Sequence, residues 1–120
     1  MAGMTDAKDM IVRTWSATAT GSGAADYSRY FAGTLLPQLR ELPGFAGAYL
    51  LRREPGGDGT PGENGTVQLT AHTFWESPAA IRAFAGDDMT VAVVEPEARA
   101  MLLDFDRRAA HHIVVVDARN

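Results

Sequence analysis

The chain has 120 residues, of which 46% are hydrophobic and 22% charged, a length and balance that fit one globular domain. It contains no cysteine, which excludes a disulfide scaffold, a thiolate metal site and a cysteine nucleophile. Eleven basic residues stand against fifteen acidic ones, for a net charge of −4; no basic stripe marks a nucleic-acid partner, and no apolar run approaches the ~20 residues that span a bilayer. Residues 1–9 lack the apolar stretch of a signal peptide, so a cytoplasmic setting is expected.

In chain order, residues 1–9 read as a loose leader, 10–117 as the domain and 118–120 as a tail. Met10–Thr20 (MIVRTWSATAT) is rich in β-branched and aromatic types and reads as a strand. Gly21-Ser22-Gly23 breaks it. Ala24–Leu42 then places Tyr27, Tyr30, Phe31, Leu35, Leu39 and Leu42 on one helical face, with Asp26 in the first turn at the positive end of the helix dipole. Pro37 removes a hydrogen bond and clashes with the carbonyl four residues back, so a kink is expected near Gly33–Pro37. Pro43-Gly44 ends the helix.

Phe45–Glu54 reads as a second strand, Pro55–Gly65 as a glycine-rich loop closing on the turn pair Asn64-Gly65, and Thr66–Trp75 as a third strand completing a hairpin. In that third strand Val67, Leu69, Ala71, Thr73 and Trp75 share one face, and Gln68, Thr70, His72 and Phe74 the other. Ser77-Pro78 is a helix start, with Ile81 and Phe84 as the apolar face and Gly86 as the stop. Asp87–Val94 is ambiguous, with strand propensity at Val91–Val94 but no evident partner. Pro96–Asp104 reads as helix, and Ala110–Val116 as a last strand that is apolar on both faces and hence covered on both.

The order β-α-β-β-α-(α)-β predicts an α+β, ferredoxin-like antiparallel sheet with helices on one face. The other face then needs a cover. A second copy of the chain, meeting its own patch about a two-fold axis, supplies it, so a homodimer is expected.

Cofactor motifs fail on context. Gly57-Asp58-Gly59-Thr60-Pro61-Gly62 fits a dinucleotide fingerprint literally but opens no helix. Gly21-Ser22-Gly23-Ala24-Ala25-Asp26 lies between strand and helix, yet carries a carboxylate where the third glycine belongs. Asn64-Gly65-Thr66 matches a glycosylation sequon that only a secreted chain would use. His111 and His112, adjacent on a strand, point to opposite faces and cannot share one ion. No metal and no cofactor are expected, and no nucleophilic serine motif is present.

At Met10–Trp15 (MIVRTW), Leu42–Phe45 (LPGF), Phe74–Phe84 (FWESPAAIRAF), Phe84–Val93 (FAGDDMTVAV) and His111–Val116 (HHIVVV), the chain resembles the antibiotic biosynthesis monooxygenase family. The resemblance runs from Met10 to Val116. It implies a dimeric α+β barrel with a pocket between sheet and helices in each subunit, and cofactor-free oxidation of polycyclic aromatic substrates by O₂. A related haem-degrading branch wants an asparagine near Trp15 and a histidine near Ala85, and only its tryptophan, at Trp75, is matched.

Strand parity suggests that Arg13, Trp15, Trp75 and His111 line one cavity floored by small residues such as Ala71 and Thr73. In this reading His111 is the base, Arg13 stabilises the phenolate, and Trp75 and Trp15 stack on the aromatic substrate. Tyr30, Thr73, Phe84 and Asp88 complete the substrate-binding set. Each residue has a structural alternative: Trp75 as a core anchor, Arg13 as a side chain with its head in water, His111 as a satisfied histidine at a strand end, and Asp88 as a helix terminator. Two other functions compete with the oxygenase: a non-redox enzyme or binder, such as a polyketide cyclase, and a non-catalytic dimer.

Overall fold

The computed structural model describes residues 10–54 and 65–118. The leader, the fingerprint-like glycines of the Pro55–Gly65 loop and the end of the tail lie outside these residues.

Strand β1 (Ile11–Thr20) alternates buried and half-buried along its length, as a strand with one covered face must. Helix α1 (Gly21–Tyr30) passes through a π turn (Phe31–Leu35) into α2 (Leu36–Arg40). Strands β2 (Phe45–Arg53) and β3 (Thr66–Trp75) pair as a hairpin, followed by α3 (Pro78–Ala85), the single turn α4 (Pro96–Arg99), β4 (Asp104–Phe105) and β5 (Ala110–Ile113). The antiparallel sheet runs β2-β3-β1, with β4 and β5 pairing successive stretches of β1. This is the expected ferredoxin-like architecture, its fourth strand broken in two.

The local signals act where chemistry requires. Ser77 Oγ accepts from the Ala80 amide at 3.1 Å, and Pro78 occupies the first helical turn. The helical fault lies just ahead of Pro37. There the Leu36 amide donates to the Phe31 carbonyl, five residues back, and the widened turn absorbs the bond that proline cannot make. Gly44 has φ +86°, and a Cβ there would lie 2.6 Å from that of Ala80, so the Pro-Gly pair lets the chain leave α2 against α3.

Several boundaries differ from expectation. The first helix begins at Gly21, because Thr20 Oγ1 caps it by accepting from the Gly23 amide at 3.0 Å. Asp26 therefore lies beyond the first turn, where it pairs with exposed Arg29. The helix expected through Asp104 ends at Arg99, and Asp104 joins the sheet. The last strand ends at Ile113, leaving Val115 and Val116 82% and 74% exposed in the single chain rather than covered on both faces. Between β4 and β5 the chain leaves β1 and pairs with the ambiguous segment instead. Val91 bridges Arg108, the Ala92 amide donates to the Arg107 carbonyl at 3.1 Å, and the Ala109 amide donates to the Thr90 carbonyl at 2.7 Å. The strand propensity of Val91–Val94 thus finds its partner in an irregular stretch distant in sequence.

Gly44→Ala is expected to lower stability by about 1–3 kcal/mol through overpacking and backbone strain. Gly33→Ala, exposed in the π turn with open space at its Cβ, should leave stability unchanged or raise it. Thermal melts of the two variants check the contrast.

Candidate active site

The covered face of β1 carries Ile11, Arg13, Trp15, Ala17 and Ala19, and that of β3 carries Val67, Leu69, Ala71, Thr73 and Trp75, all buried. Register sets Arg13 opposite Thr73 and Trp15 opposite Ala71. These four residues floor a cavity between the sheet and the helices. Tyr27, Phe31, Leu35 and Leu39 form its helical wall, and Phe84 and Val93 close it. Its volume is about 40 Å³, far below the ~300 Å³ at which ligand pockets begin. In this state the site, though partly open to solvent, is too small for a ligand.

Arg13 dominates its chemistry. The residue is 5% exposed, and its guanidinium enters no ion pair among those found in the described residues. It donates through Nη1 to the Met89 carbonyl and to Nε2 of His111 (3.0 Å), and through Nη2 to the Val91 carbonyl (2.8 Å). Its head also lies 5.6 Å from the centre of the Phe84 ring, within cation–π range. Burial lowers its pKa to about 10. Neither Asp87 nor Asp88 is among these partners. Asp88 instead holds the loop from outside, accepting from the Thr90 amide (3.0 Å), the Thr90 hydroxyl (2.6 Å) and Arg108 (3.0 Å). Those bonds keep its carboxyl below the usual range.

Trp75 shares the covered face but does not line the cavity. It is 0% exposed, packed edge-on to Phe45 (5.3 Å) and stacked on Phe84 (5.7 Å), and its indole donates to Thr73 Oγ1 at 2.8 Å. Phe84 and Thr73 stand between it and the space, so the expected four-residue lining is corrected to Arg13 and Trp15 with Thr73 and Phe84. Trp75 sets the positions of the latter two. Trp15 remains in the wall, its indole donating to the Asp106 carbonyl at 2.8 Å where the fourth strand breaks.

His111 lies on the covered side, opposite Arg13 in register, but outside the lining. A guanidinium can only donate, so Nε2 of His111 is the acceptor and the neutral ring carries its proton on Nδ1. Burial, then the Arg13 charge, then His112 lower its pKa. While Arg13 holds that lone pair, His111 cannot receive a substrate proton there. Tyr30 also lies outside the lining, against Tyr27 at 5.7 Å, its hydroxyl held neutral by burial and by Glu97 and Glu95.

The helical wall was missed as a site because each member reads equally well as core. Its signal is a spacing of four throughout: Tyr27, Phe31, Leu35, Leu39. In a regular α-helix such a row drifts by about 120° over three steps; the π turn takes up the excess and keeps it facing the sheet. Tyr27 adds a phenol whose pKa burial raises further, so it acts as a neutral donor. His72 and His112 lie on the sheet's other face, in register with Thr14 and Val12, and no group of three possible metal ligands occurs among the described residues. That other face carries a larger hollow of about 440 Å³ between Tyr49, Phe74 and the Val114–Ala118 stretch, on the far side of the sheet from Arg13.

No family model matches the sequence, and no curated protein matches it. Among solved structures, a Bacillus cereus protein assigned to the antibiotic biosynthesis monooxygenases is 15% identical, with TM-score 0.61, covering 92% of this chain and 96% of its own. A monooxygenase from the gene ActVA-Orf6 of Streptomyces coelicolor, solved with nanaomycin D, is 16% identical, with TM-score 0.59 and 94% of each chain covered. A variant of SnoaB, a cofactor-independent oxygenase from Streptomyces nogalater, is 24% identical, with TM-score 0.51, covering 93% of this chain and 95% of its own. These likenesses establish a shared α+β, ferredoxin-like fold over nearly the whole chain.

Two outcomes follow from the site's packing. Trp75→Ala should cost about 3–5 kcal/mol, as expected for emptying a fully buried aromatic position. His111 has a folded-state pKa below its unfolded value of 6.5. The unfolded chain therefore binds the extra proton, and the stability that neutral His111 contributes is present above pH 6.5 and is lost as pH falls from there toward the folded value. The melting temperature should fall between pH 7.5 and pH 5.5, and fall less in His111→Gln.

Proposed function

We propose that the chain is a cofactor-independent oxygenase of the antibiotic biosynthesis monooxygenase type, acting with O₂ on an aromatic, polyketide-like small molecule in a cytoplasmic setting. The observation that carries this reading is a buried guanidinium without a carboxylate partner among the described residues, in a cavity walled by Trp15, Tyr27, Phe31 and Phe84. The shared fold with monooxygenases supports it. A flat ring stacks on such walls, and a fixed cation favours the anion formed when an acidic phenol or anthrone loses its proton. The carbanion then passes an electron to O₂. In the net reaction a ring methylene becomes a carbonyl, one oxygen atom enters the product and the other leaves as water.

Arg13 stabilises the anion, Trp15, Thr73 and Phe84 contact the ring, and His111 or water takes the proton, His111 once its lone pair is released. Trp75 supports Phe84 and Thr73, Tyr30 backs Tyr27, and Asp88 secures the loop that closes the cavity. An oxygen electrode with an anthrone tests the reaction. Uptake should be protein-dependent and about 10²–10³-fold slower in Arg13→Gln, the range for loss of a donor to a developing oxyanion. Turnover without oxygen uptake would instead establish the non-redox reading.

We also propose that two copies pair through the uncovered sheet face. Tyr49 and Leu51 are exposed there, beside the hollow that Val114–Ala118 borders. Sedimentation at micromolar concentration should give a dimer; a stable monomer would overturn the pairing.

A further inference from the structure

We infer that the ligand of this site carries an ionised oxygen on a flat aromatic frame, and that it opens the cavity by taking Arg13 away from the Met89 and Val91 carbonyls. The inference rests on the cavity being an aromatic site and adds the ligand's charge and the manner of entry.

Three observations carry it. The first is the balance of charge around Arg13. Its identified partners are two backbone carbonyls and a neutral imidazole, all dipoles, and burial holds its pKa below that of a free guanidinium. A buried cation so placed gains from an anion: an opposite full charge attracts it more strongly in this low-dielectric setting than a carbonyl dipole does. The second is volume. About 40 Å³ holds no ring system, so a wall must yield.

The third is which wall can. The sheet strands and the α1–α2 row belong to the buried core. Residues 87–93, by contrast, are exposed or half-buried, with Val91 42% exposed. On the inner side this segment is held by the two carbonyls on Arg13 and by Met89 and Ala92 packed against the core. On the outer side backbone bonds tie Thr90 and Ala92 to Ala109 and Arg107, and Asp88 and Thr90 bond exposed Arg108. An anion that binds Arg13 removes the polar part of the inner hold and lets the wall move out. A neutral ring of the same shape has no such leverage, because only a difference in affinity between closed and open states shifts their balance. The exchange also frees Nε2 of His111.

The test uses 2-naphthoate, an anion at pH 7.5, and its neutral isostere 2-naphthamide, titrated calorimetrically into the full chain. Naphthoate should bind at least tenfold more tightly, and Arg13→Gln should abolish the preference. Under saturation, hydrogen exchange in residues 88–92 should quicken with naphthoate and stay unchanged with naphthamide. Equal affinities in the wild-type protein, or naphthoate binding with no quickening in 88–92, would overturn the inference. The two ligands are compared on the wild-type chain, so the result stands even if Arg13→Gln does not fold. Equal affinities with oxygen uptake on an anthrone intact would discard the anion-driven opening alone. Failure of both ligands to bind, with no uptake, would discard the oxygenase reading as well.

Discussion

The ten-residue ladder between β1 and β3 is the constraint from which the rest of the molecule is built. It runs without a slip from Ile11 opposite Trp75 to Thr20 opposite Thr66. Because side chains alternate along a strand, this one register decides which ten residues face the helices, and a slip by one residue would send all of them to the other side. It puts the long side chains Arg13 and Trp15 across from the short ones Thr73 and Ala71, and that pairing of large with small leaves a space. The helices cover the space, and the outer strands extend the sheet without changing its parity.

Around this ladder the polar interactions form a chain from core to surface. Trp75 bonds Thr73, Arg13 bonds His111 and the loop carbonyls, and the loop in turn is tied to Arg108 through Asp88 and Thr90. Trp15 reaches the Asp106 carbonyl at the break in the fourth strand. The break therefore has two uses. It supplies an acceptor for a buried indole, and it frees Arg107–Ala109 to pair with the loop. An unbroken edge strand would leave Val91 and Ala92 without that ladder and the cavity without its outer wall.

Much of this was legible from residue types. Alternation in IVRTWSATAT and TVQLTAHTFW gave the covered faces, Ser77-Pro78 the start of α3, and Pro37 the vicinity of the helical fault. What escaped was whatever depends on a third object. Parity placed Trp75 on the right face, but only the ring of Phe84 in front of it decides that it misses the cavity. For Arg13 the sequence offers a substrate anion or solvent as the partner of its head, because side chains can be read from sequence, whereas the carbonyls of Met89 and Val91 that hold it belong to a backbone path that cannot. The partner of Val91–Val94 was hidden for the same reason: Arg107–Ala109 has no strand pattern of its own. Parity likewise put His111 on the covered face, but its position outside the lining and its engaged lone pair follow from the packing and from an interatomic distance.

The π turn ties the shape of the cavity to chain length. One residue fewer anywhere in Phe31–Leu35 would restore an ordinary helical repeat and still leave Tyr27 and Leu39 within about 20° of each other around the axis, since each α-helical residue advances the chain by about 100°. Tightening the turn to an ordinary helix at its present length would instead set them about 120° apart. Half of the helical wall would then face away from Arg13 with every side chain unchanged. The extra residue and the π turn that houses it are thus a matched pair, and losing the turn alone would act on the cavity as a rotation that a comparison of residue identities would not register.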